Sequence, residues 1–293
     1  MISFSFVYQY PIQFSSLLLL ALSLASLWIR KSFWIWGSLL LISLLGAFTS
    51  DLFNVTALFP LIFFALLLWG LQLDLKGFSR FLISSMLFLI GAGLFFHLMP
   101  GFVDPKGLPY PLCLNYGKPF IGILLLGWLI PTLSRANFPQ NFKRLVAYVL
   151  IGTIFLTTIF VVLQPKAIYP NFSFSIFPWA FISLFFFIIP EEALLRGFLQ
   201  NEIVTWMGGG LKSEISGVII TTLLYPLFHL TWVSDLSLLI PTFAAGFTYA
   251  ACYQITKLVE TSIVCHFLIG CIHFLFFGHL PLSQKLSCVS FGL

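Results

Sequence analysis

FISLFFFIIPEEALLRGFLQNE, residues 181–202, is strongly apolar from Phe181 to Ile189 and then sets Glu191, Glu192 and Arg196 into the same helix-length stretch. Ionisable groups inside a membrane span cost about 2.5–3.5 kcal/mol each on insertion scales and mark functional positions by default. Whether this run meets lipid is decided by the rest of the chain. Of 293 residues, 60% are hydrophobic and 8% charged, and mean hydropathy is +1.05. A soluble domain carries roughly 25% charged residues. So little charge cannot cover a globular surface, so most of this surface faces lipid.

In a bilayer the backbone must satisfy its own hydrogen bonds, which leaves helices or closed barrels. The apolar runs are long and lack the alternation of a barrel strand. The expected fold is therefore all-α and polytopic. Spans of roughly 20 apolar residues fall at 14–29, 34–50, 56–73, 81–99, 119–134, 145–164, 174–196, 216–233, 236–256 and 260–280. Two of these are short enough to be re-entrant instead. Loops are expected around 100–118, 165–173 and 200–216.

The net charge of +5 comes from a few loop residues. Arg30 and Lys31, Lys76 and Arg80, Arg135, Lys143 and Arg144, Lys212, and Lys257 fall on one alternate set of loops. Asp51, Asp104 with Lys106 and Lys118, Lys166 and Asp235 fall on the other. Basic residues favour cytoplasmic loops, which predicts both termini outside the cytoplasm. Nothing suggests a nucleic-acid surface. The five cysteines lack CxxC spacing, and most read as small buried hydrophobes. The N-terminus lacks the basic region of a cleaved leader, so the first apolar run is expected to be retained. Ser290 stands where a C-terminal CAAX cysteine would be needed.

Within 181–202, Glu192 and Arg196 are four residues apart and share a helix face, as an ion pair requires. Glu191 lies about 100° further round and escapes that pair. Such a carboxylate suits a general base or a metal ligand. A structural Glu–Arg pair at a span end is the plainer alternative. Pro190 cannot donate to the carbonyl of Phe186, so a kink or open backbone is expected there. His229 closes TTLLYPLFHL; His266 sits in SIVCHFLIG, with His273 seven residues on and on roughly the same face. Glutamate and histidine together polarise water for attack on a peptide carbonyl, with or without zinc. His97 and His279 lie near span ends and read as interfacial.

Glu191-Glu192-Ala193-Leu194-Leu195-Arg196 followed by GFLQ resembles the EExxxR motif of the CAAX-protease and bacteriocin-processing family of intramembrane endopeptidases (CPBP, also called Abi). The family's FxxxH is matched by Tyr225 and His229, with tyrosine for phenylalanine. Its HxxxN is matched by His266, while position 270 is Gly270. The resemblance covers about residues 174–280. It implies a CPBP-like domain at 171–283, after an N-terminal membrane region (1–170) of unassigned role and before a tail (284–293). It also implies a multi-pass protein of a bacterial inner membrane.

The activity implied is hydrolysis of a membrane-tethered protein or peptide, prenylated or lipid-embedded. Glu191 would activate water with help from His229, and Glu192 and Arg196 would hold the site together. His266 and position 270 would bind the oxyanion, or Glu191, His229 and His266 would hold zinc; the metal and glutamic versions both stay open, as does oligomeric state. Glycine at 270 removes an amide donor. Losing one oxyanion donor costs other hydrolases about 10²–10³ in rate. Either Ser262 or His273 supplies the donor, or the protein is a weak or inactive member acting in immunity or partner binding. A proton-relay transporter is a third class, but paired broken helices in matching halves are not seen.

Overall fold

Ten helices account for the ten apolar runs among the described residues. The computed structural model describes residues 9–73, 75, 77–103, 114, 116–131, 138–163, 170, 172, 174–229 and 239–276. The helices are α1 (Pro11–Ile29), α2 (Phe33–Thr49), α3 (Val55–Gln72), α4 (Gly77–Phe95), α5 (Gly117–Leu129), α6 (Phe138–Leu163), α7 (Ile176–Trp206), α8 (Leu211–His229), α9 (Leu239–Thr256) and α10 (Val259–Phe276). Besides helix, the described residues hold one isolated β-bridge, Phe53 to Phe102. Asp104, Lys106, Arg135, Lys166, Asp235, His279 and the tail at 284–293 lie outside the described residues.

Seven helices (α1, α3, α4, α6, α7, α8 and α10) are long and apolar enough to cross a membrane. Leu18, Leu22, Ile62, Leu66 and Ile154 stand exposed on their flanks, as side chains solvated by acyl chains do. The protein is a multi-pass integral membrane protein with an all-α fold.

Three expectations are corrected. The span expected at 119–134 is α5, whose eight α-wound and five π-wound residues are too few to cross roughly 30 Å of hydrocarbon. Every residue from Gly117 to Leu126 is buried, so α5 is internal over its first ten residues. Lys118, expected in a loop, stands in its first turn and is 9% exposed. The loop expected at 200–216 shrinks to a turn at 207–210, where Gly208, Gly209 and Gly210 all take positive φ (86°, 77° and 83°). Side chains resist that conformation and glycine does not.

By Cα packing the chain divides into two units. Unit 1 holds α1–α5 and residues 185–194 of α7; unit 2 holds α6, the two ends of α7, and α8–α10. In unit 1, α1 and α2 form a hairpin stitched by hydroxyls. Ser23 donates to the Trp36 carbonyl (2.7 Å) and Ser43 to the Ser16 carbonyl (2.7 Å). Ser43 also meets the Tyr116 hydroxyl at 2.6 Å. Without a hydrophobic drive between helices in lipid, small residues and such bonds supply association.

In unit 2, α8 and α9 approach closely at Gly246, where a β-carbon would stand 2.8 Å from Cβ of Tyr225. Gly152 of α6 meets Cys265, Thr248 and Cys252 in the same way, at 2.9, 2.9 and 3.3 Å.

Candidate active site

The proline at 190 and the acidic pair after it lie at the middle of α7, not at its end as expected. This helix is α-wound over Ile176–Ile182, π-wound over Ser183–Ile188, α-wound over Ile189–Glu192, π-wound over Ala193–Gln200, and α-wound again to Trp206. π winding on both sides of Ile189–Glu192 widens the helix around Pro190, which has no N–H to give to an i−4 carbonyl. π-turns inside helices are frequent at functional sites. Glu191 is 4% exposed, and Glu192 and Arg196 are fully buried.

Arg196 is held by unit 2. One Nη donates to the Gly246 carbonyl at 3.2 Å, and the guanidinium lies 4.6 Å above the Tyr225 ring and 5.7 Å from the Tyr249 ring. A desolvated cation–π contact is worth about 2 kcal/mol. Because Arg196 joins α7 to both α8 and α9, it orients the site's walls. Gln200, one turn on and fully buried, extends the same lattice. Its amide nitrogen donates to the Ala250 carbonyl (3.0 Å) and to Gln254 (3.2 Å), and its oxygen accepts from Thr221 (3.3 Å).

His229 is the last residue of α8. Its Nδ1 meets the Tyr225 carbonyl at 3.3 Å; a carbonyl only accepts, so Nδ1 is the donor of that pair. His266 on α10 stacks on Tyr249 (4.6 Å between centroids, 14° between planes). Its Nε2 lies 3.4 Å from the Tyr225 hydroxyl. The two imidazoles are 6.4 Å apart. One ligating atom each from Glu191, His229 and His266 lies within 4.8 Å of the others.

That donor set, two histidines and a glutamate, is the one hydrolytic zinc sites use. Ligands around a tetrahedral zinc stand about 3.3 Å apart, so the three would draw in slightly to hold an ion. The residues fit the metal.

The three residues expected at the oxyanion make the following contacts. Ser262 is fully buried with its hydroxyl donating to the Val259 carbonyl at 2.9 Å, within the first turn of α10. His273 packs edge-on against Phe160 of α6 at 5.7 Å. It shares a face with His266, but two turns of rise carry it to another neighbour. At Gly270 a β-carbon would stand 3.2 Å from the Trp179 indole, which stacks on Phe274 at 4.7 Å. The indole would have to give by a few tenths of an ångström to admit a side chain at 270.

Tyr225 and Tyr249 carry roles that spacing alone did not reveal. Tyr225 was legible as the aromatic position of FxxxH, and its hydroxyl was the available signal. Tyr249 had no signal, since a tyrosine in an apolar helix is usually packing.

Residues 173–272 match the family model for type II CAAX prenyl endopeptidases, Rce1-like. This segment is an Rce1-like domain. The Rce1-like domain takes in α7, α8, α9 and α10 as far as Ile272, the helices that carry Glu191, His229 and His266. This match over about a third of the chain, together with the apolar helices, supports an intramembrane endopeptidase in general type. No curated protein and no solved structure matches the chain.

Proposed function

We propose that this protein hydrolyses a peptide bond of a membrane-tethered protein or peptide, with water activated by Glu191. The convergence of Glu191, His229 and His266 within 4.8 Å carries the reading, and the Rce1-like match supports it. Water held between the Glu191 carboxylate and Nε2 of His229 gives its proton to Glu191 as its oxygen attacks the scissile carbonyl carbon. The carbonyl oxygen becomes an oxyanion, for which His266 and the Tyr225 hydroxyl are the donors. Glu191 then returns the proton to the leaving nitrogen as the C–N bond breaks, giving an acid and an amine.

Zinc, if resident, would be held by the same three side chains and would lower the pKa of bound water. Arg196 and Glu192 keep the walls in register.

The test uses the full chain in nanodiscs with membrane-tethered peptides, prenylated and unprenylated. Cleavage is expected in the wild type and lost in Glu191→Gln; a Glu191→Gln protein that still cleaves rejects the role. Full turnover in strong chelator, with metal analysis of the protein showing none retained, would assign the glutamic version.

A second reading is favoured by Gly270 and the indole over it: a non-cleaving member that binds a partner. Absence of turnover on every tethered peptide, with a partner bound equally by wild type and Glu191→Gln, would establish it.

A further inference from the structure

Among the described residues of unit 1, the buried charged side chains are Lys118, Glu191 and Glu192. All three stand on α5 and the middle of α7, which pack directly: a β-carbon on Gly122 would lie 3.2 Å from Cα of Pro190. One turn before Gly122, the Lys118 ammonium sits 4.3 Å from the centre of the Phe187 ring and 4.4 Å from that of Phe95. The pairs Lys118/Phe187 and Gly122/Pro190 show that the two helices run in the same direction. Glu191 follows Phe187 by one turn. Helix side chains tilt toward their N-terminus, so the stem of Glu191 leans toward the turn of Phe187, whose ring carries the ammonium.

We propose that Lys118 is a positioning residue of the active site, its ammonium balancing the charge of the Glu191–Glu192 carboxylates and fixing where they point. Ring faces offset only part of the cost of burying an ammonium; an anion in the same low-dielectric pocket offsets far more. A helix too short to span explains how the charge gets there. With α5 buried from Gly117 to Leu126, its first turn delivers a lysine into protein instead of toward a headgroup. The catalytic role rests on the peptidase reading, whereas the charge coupling does not.

The experiment is a double-variant cycle on the full chain in nanodiscs, read first by thermal midpoint. Lys118→Met should lower the midpoint by several degrees, and adding Glu192→Gln to it should recover part of that loss. Shifts that simply add overturn the coupling. If Lys118→Met does not fold, failure of the double variant too, with Glu192→Gln alone folded, also overturns it.

For turnover, Lys118→Met should lower kcat at least tenfold with KM within twofold, and Lys118→Arg should restore kcat to within threefold of wild type. A raised KM at unchanged kcat overturns the positioning role and places Lys118 on substrate instead. If the wild type cleaves nothing, the proposed function falls, while the midpoints still judge the coupling.

Discussion

The α1–α2 hairpin of unit 1 and the α7–α8–α9 contact of unit 2 solve the same problem differently. Both must join helices where no water rewards the burial of apolar surface. The hairpin does so with serine hydroxyls, each bonded to a carbonyl across the groove, and its neighbours are leucines. Unit 2 instead buries a guanidinium, a carboxamide and two phenols, with two half-buried imidazoles beside them. Hydroxyl stitching is cheap because each buried serine hydroxyl is bonded to a carbonyl. The polar lattice is costly unless every member is bonded, and such a cost persists where chemistry needs it. Helix association alone does not explain the second kind of contact.

Variants in the two regions should therefore separate. The largest expected effect is Glu191→Gln: loss of turnover by about 10³, or roughly 4 kcal/mol of barrier, with the thermal midpoint little changed. A drop in midpoint matching the loss of turnover would instead make Glu191 structural. Next, Gly246→Ala pushes a methyl to 2.8 Å from Tyr225 and should destabilise by about 1–3 kcal/mol, read as a lower midpoint in nanodiscs. Tyr225→Phe keeps the ring beneath Arg196 and removes the hydroxyl near His266. Turnover should fall about tenfold, roughly 1.4 kcal/mol, at nearly constant midpoint. Smallest is Ser43→Ala in the hairpin, costing about 0.6 kcal/mol of stability and no turnover. A Ser43→Ala protein with reduced kcat would erase the contrast between the regions.

Much of this was readable beforehand, for reasons that differ by residue. Apolar runs locate helices because the transfer cost of each side chain is local, and all ten expected spans correspond to helices. Glu191, Glu192 and Arg196 stood out because charge in hydrocarbon is rare. Lys118 did not, since hydropathy places a lysine beside Pro119 and a polar stretch in a loop. Only the packing of α5 inside unit 1 reveals it as buried. Ser262 and His273 were plausible donors by helix phase, yet one hydroxyl is spent on its own helix and one imidazole lies two turns away against Phe160.

From the chain alone came the membrane, the number of apolar helices and the acidic and imidazole residues suited to hydrolysis, since each follows from the composition of a short window. Tertiary structure decided which faces meet. It widened α7 into π-turns around Pro190, closed a turn at Gly208–Gly210, laid Tyr249 on His266 and set Trp179 close to Gly270. An apolar helix is nearly uniform around its axis, so hydropathy fixes its depth and leaves its rotation to the neighbours it packs against.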